Sequence, residues 1–194
     1  MNSNFLRRAL PILALVIPAT VQAHPGHGML DFSAGAVHPI LGADHLLAMV
    51  AVGLLGAQLG GRARWAVPAA FVGALALGAF AAGAAGFAIP GMEHGIALSV
   101  LILGAIVAFA NRLPLFGAAA IAAVCGIFHG VAHGSEMPAD ATGALYGAGF
   151  VLASAALHIM GAGFGAACIG ASRSGLVRCA GAAIVVFALG FFVF

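Results

Sequence analysis

His129 and His133 stand four residues apart in the stretch GIFHGVAHGSEMPAD, residues 126–140, at the end of a long apolar run. On a helix, positions i and i+4 are neighbours on one face, with Cβ atoms about 5–6 Å apart. Two imidazoles placed this way can present lone pairs to one divalent ion. Glu136, three residues beyond His133, adds an oxygen if the helix continues that far. Cys125 lies one turn before His129 on the same face but is not counted as a ligand. The competing reading is that the two imidazoles only hydrogen-bond across a helix bundle. An i, i+4 pair beside a carboxylate, in a chain with 8 histidines, favours ligation.

A second constellation occupies residues 38–49, HPILGADHLLAM. Pro39 suits the first turn of a helix, with His38 just before it. Asp44 and His45 are adjacent, so on an ideal helix they point about 100° apart, and His38 stands about 10 Å in rise from His45. One site using all three needs an irregular segment, which Pro39 and Gly42 permit. Otherwise they form two steps of a path, or Asp44 orients a ligating imidazole from behind.

The elements that must position these groups follow from composition. The 194 residues are 63% hydrophobic and 6% charged, with a mean hydropathy of +1.16. Soluble domains carry about 25% charged residues, so the solvent that suits this chain is a lipid bilayer. There is no lysine, hence no Walker-A lysine, and ATP is not an expected ligand. The 7 arginines are scattered and form no nucleic-acid patch. Cys125, Cys168 and Cys179 sit singly in apolar runs and read as small buried hydrophobes.

Residues 1–23 have Arg7 and Arg8, an apolar centre and Val21-Gln22-Ala23. That pattern predicts a signal peptide cleaved after Ala23, leaving residues 24–194 as one polytopic transmembrane domain. A span needs about 20 apolar residues. Six runs meet that need, at about 37–60, 65–88, 93–111, 114–133, 142–170 and 175–193. The expected fold is an all-α membrane protein, a compact bundle of about six transmembrane helices. The second run repeats Ala70, Ala74, Gly78, Ala82 and Gly86 every four residues, a seam that lets helix backbones approach closely.

With the mature N-terminus in the periplasm, Arg62, Arg64, Arg112 and Arg173 fall in cytoplasmic loops, and Arg178 lies just inside the last span. The loops on the other side hold Glu93, Glu136 and Asp140. This satisfies the positive-inside rule in a bacterial inner membrane. All eight histidines then lie in the periplasmic half or, for His158, near the midplane. Ionisable groups at membrane depth usually face an interior or a cavity.

The stretches HPILGADHLLAM and FHGVAHGSE resemble the signatures of the HupE/UreJ family. These are membrane proteins associated with hydrogenase and urease clusters and regarded as nickel, in some members cobalt, permeases. Both signatures occur complete and in the family order, and the resemblance covers the whole mature chain. It implies metal-binding roles for His38, Asp44, His45, His129, His133 and Glu136. Glu93 and His94 are a less diagnostic part of the likeness.

Imidazole with carboxylate suits Ni(II), Co(II), Zn(II) and Cu(II) alike. The resemblance selects Ni(II), with Co(II) as the alternative, as the transported ion. Expected partners are that ion and the lipid bilayer, with a homo-oligomer left open. No nucleic acid, ATP or organic cofactor is expected, and no enzymatic activity. His24, exposed by cleavage, offers its amine and ring to a metal. Pro25 lacks the amide N–H that a deeper chelate would use, so a weak grip shared with His27 is expected there. Ligation needs neutral imidazoles, so uptake is expected to fall below about pH 6.5. The alternatives are a membrane metal-delivery or sensing protein without conduction, a b-type haem protein using His94 and His129 as axial ligands, and an intramembrane metalloenzyme.

Overall fold

The computed structural model describes residues 32–110, 112–135, 137 and 141–192. The expected signal peptide, His24 and His27 lie outside these residues, as do Glu136 and Asp140. Seven helices follow in order: α1 Phe32–Leu41, α2 Ala43–Leu59, α3 Ala63–Ala85, α4 Met92–Phe109, α5 Leu115–Gly134, α6 Ala141–Gly170 and α7 Ser174–Gly190. Among the described residues there is no strand.

Helices α3, α4, α5 and α6 are each long and apolar enough to cross a bilayer. α1 and α2 are long and apolar enough only when taken together, as a broken span or a re-entrant pair, and they are bent by 80° at a short break. The sixth apolar run is α7, whose 17 residues reach about 25 Å, near the lower limit for a span. The six runs of the sequence are therefore all helical, but the first is broken.

The break has a local cause. Pro39 has no N–H for the bond its position in α1 would make, and Gly42 adopts an extended backbone, with φ −76° and ψ 111°. Both sides of the break keep their backbone partners. Gly42 N–H donates to His38 carbonyl at 3.0 Å, and Leu46 N–H donates to Gly42 carbonyl at 2.9 Å. Asp44 Oδ1 accepts the backbone N–H of His45 at 2.8 Å. That places a carboxylate at the N-terminal end of α2, where exposed donors and the helix dipole favour it.

Helix α2 is the centre of the bundle and touches all six others. Residues 51–57 of it are buried without interruption. A helix apolar all round belongs in a core. Outside it, large apolar side chains such as Leu77, Phe80, Phe109, Phe116 and Phe164 are exposed, as lipid contact requires.

Tight helix pairs fix the register. On α3 the expected small-residue seam is real at Ala74, Gly78 and Ala82, which face inward. Gly86 is exposed and instead terminates α3 in a left-handed conformation, with φ 65°. The partner row is Gly126, Gly130 and Gly134 on α5. A Cβ on these would collide with the backbone carbonyls of Phe71, Leu75 and Ala79 respectively. Two of those glycines directly follow His129 and His133. The approach they allow holds α5 against α3 and sends the imidazoles into the bundle rather than into lipid.

Candidate metal centre

Three helices deliver four imidazoles to one end of the bundle. The N-terminal end of α2 supplies His45, the C-terminal end of α5 supplies His129 and His133, and α1 supplies His38 across the break. His45, His129 and His133 are buried, His129 completely. His38 is half-buried. The ring of His45 lies 4.3 Å from that of His133 and 4.7 Å from that of His129, and His38 lies 4.5 Å from His133 and 6.0 Å from His45. The Nε2 atoms of His45 and His133 face each other in direct contact. The bend at Gly42 therefore resolves the problem posed by residues 38–49: it brings His38 and His45 together where a straight helix would separate them.

Hydrogen bonds set the tautomers of two of these rings. His45 Nδ1–H donates to Asp44 Oδ1 at 2.6 Å, because a carboxylate only accepts. The lone pair of His45 is thus on Nε2, pointing at His133. Asp44 lies behind the imidazole, on the side away from His133. At His129, the Ser99 hydroxyl donates to the Ile96 carbonyl at 2.7 Å. Its oxygen is then left to accept from His129 Nε2–H at 2.9 Å. The lone pair of His129 falls on Nδ1, which is buried with no hydrogen-bond partner.

Tyr146 and Phe150 of α6 form the remaining wall. Tyr146 Oη pairs with His38 Nδ1 at 2.6 Å, and the Phe150 ring lies 4.6 Å from His133. Ser99, Tyr146 and Phe150 were not anticipated as parts of the site. Tyr146 is the single tyrosine of the chain, and Ser99 is a lone hydroxyl in an apolar helix, which is the signal each offered. A cavity of about 230 Å³, lined by Leu75, Ala79, Phe80, Tyr146 and Phe150 among others, reaches His133 between α3 and α6.

Glu93 and His94 stand apart. Both are exposed in the first turn of α4, and none of the ring contacts or hydrogen bonds of the cluster involves them. His129 is enclosed by His45, Phe71 and Ser99. Among the described residues, no three His, Cys, Asp or Glu side chains already enclose a point where an ion would sit.

The arginines mark the opposite end. Arg62, Arg64, Arg112 and Arg173 are exposed at the α2–α3, α4–α5 and α6–α7 junctions, at the far ends of the helices that carry the cluster.

The profile described as HupE / UreJ protein matches residues 12–191. The chain belongs to the HupE/UreJ family. Both histidine-bearing stretches lie inside the matched region. A HupE/UreJ relative, "Protein HupE" of Rhizobium leguminosarum bv. viciae, is 41% identical over 175 residues, which is 90% of this chain and 91% of that one. No solved structure matches the chain. With its apolar helices, this HupE/UreJ chain is a multi-pass membrane protein.

Proposed function

We propose that the chain is an inner-membrane permease that carries a divalent transition-metal ion, Ni(II) in the first place and Co(II) as the alternative, from periplasm to cytoplasm. The delivered ion serves maturation of a metalloenzyme, hydrogenase or urease. One observation carries the proposal: four imidazoles from three helices meet beneath one end of an apolar bundle, and one of them is held by a carboxylate. Membership of the HupE/UreJ family supports the choice of a metal ion as cargo. The arginines at the far end support placing the cluster on the periplasmic side.

In this reading the ion reaches the cluster from the periplasmic end of the bundle. The Nε2 atoms of His45 and His133 and the Nδ1 atom of His129 replace part of its water shell. His38 and Glu136 are proposed as further ligands. Asp44 offsets part of the ion's charge and keeps the His45 lone pair aimed inward. The membrane potential can drive the passage, because a divalent ion gains about 4.6 kcal/mol per 100 mV.

The test is competitive uptake of radioactive nickel, with cobalt, zinc and copper as rivals, in wild type and in His129→Ala. Saturable nickel uptake that His129→Ala reduces at least tenfold supports the proposal. Uptake equal to that of cells lacking the protein contradicts it.

A further inference from the structure

The cluster leaves the ion at one end of the bundle. Beyond His45, helix α2 carries no charged or imidazole side chain. Among the described residues, the remaining buried imidazole is His158 of α6, 1% exposed. Its backbone carbonyl abuts Gly53 of α2, eight residues further along that helix than His45, or about 12 Å deeper.

Two features make His158 more than a core histidine. Its Nδ1–H donates to the Ser154 carbonyl at 2.5 Å, since a carbonyl only accepts. The ring's lone pair is therefore on Nε2, and that atom is buried with no hydrogen-bond partner. Buried acceptors are rarely left unmatched. A metal-ligating imidazole commonly has this arrangement, its second nitrogen tied to a backbone carbonyl. The Phe71 ring packs against both neighbours, 5.5 Å from His129 and 5.1 Å from His158. His129 Nδ1 is likewise buried with no hydrogen-bond partner.

We propose that His158 Nε2 is a transfer ligand, which takes the ion from His129 Nδ1 on its way to the cytoplasmic half. One metal–nitrogen bond forms as another breaks, and no electron or proton need move. Phe71 is the side chain that must swing aside for the exchange. This inference rests on the permease reading above.

Reconstituted protein tests it by Ni(II) uptake into liposomes, together with Ni(II) binding in detergent. His158→Ala and His158→Gln should lower the maximal rate at least tenfold. The half-saturating concentration and the detergent affinity should stay within about twofold of wild type, because the outer cluster is intact. A wild-type maximal rate in both variants overturns the inference, as does a shift in half-saturation alone. His158→Cys decides the matter if the first two variants lose binding. A thiolate in the path should favour Cd(II) over Ni(II) relative to wild type, whereas equal loss of both ions marks a packing role and overturns the inference. Wild-type liposomes that move no Ni(II) contradict the permease reading itself. Wild-type uptake with unaffected His158 variants contradicts only the transfer step.

Discussion

Asp44 and His45 are neighbours in the chain and partners in space. The Asp44 carboxylate accepts both the ring Nδ1–H of His45, at 2.6 Å, and its backbone N–H, at 2.8 Å. An adjacent pair on a regular helix would diverge. Here the helix begins at this point, after the extended Gly42, and the carboxylate folds over the first turn. A Cβ on Gly42 would lie 3.1 Å from both Asp44 Oδ1 and His45 Nδ1, so the break and the pair are built around each other.

Replacing Asp44 by Ala should therefore weaken Ni(II) half-saturation by about 10–100-fold, the usual cost of removing a carboxylate behind a ligating imidazole. Asp44→Asn keeps an acceptor for Nδ1–H but removes the charge, and should fall between wild type and Asp44→Ala. Equal affinity in all three proteins would show that the carboxylate has no part in holding the ion.

Ser99→Ala should act on His129 without touching its ligating nitrogen. The substitution strands His129 Nε2–H in a fully buried position, a penalty of about 1–3 kcal/mol. It also releases the constraint that puts the lone pair on Nδ1. The expected outcome is a several-fold loss in Ni(II) affinity with only a modest fall in thermal stability in detergent. An affinity unchanged from wild type would separate Ser99 from the site.

The α3–α5 seam yields a paired prediction about stability. In Gly130→Ala the new methyl meets the backbone carbonyl of Leu75, which cannot retreat without shifting a helix. A cost of roughly 1–3 kcal/mol is expected, along with lost uptake because His129 and His133 ride on the same helix. Gly73→Ala, where a Cβ meets nothing within 4 Å, should be neutral or stabilising by up to about 1 kcal/mol. Melting of the detergent-solubilised proteins, followed by a thiol-reactive or tryptophan signal, distinguishes the two.

The spans were legible because an apolar run of bilayer length is a direct signal. The four-residue repeat of α3 was legible for the same kind of reason. Its partner row, Gly126, Gly130 and Gly134, has the same spacing, but spacing alone does not say which helix it meets; only the packed bundle sets it against Phe71, Leu75 and Ala79. The i, i+4 geometry of His129 and His133 could be read locally. The meeting of His38 with His45 could not, since the sequence permits a break at Gly42 without dictating a bend of 80°. Ser99 and Tyr146 were beyond reach for a different reason. Their imidazole partners lie 30 and 108 residues away, and only the packed bundle brings them together. Glu93 and His94 are exposed at the first turn of α4, and no contact with the imidazole cluster could be read from their sequence position.

The central claim is that His45 and His133, from separate helices, act on one and the same ion. A double-mutant cycle on Ni(II) affinity, measured by isothermal titration of the purified protein, tests it most directly. His45→Ala and His133→Ala should each reduce affinity at least tenfold. The double variant should be little worse than the weaker single one, because ligands of one ion are coupled. Losses that multiply in full, or single variants that bind Ni(II) like wild type, would contradict a shared site.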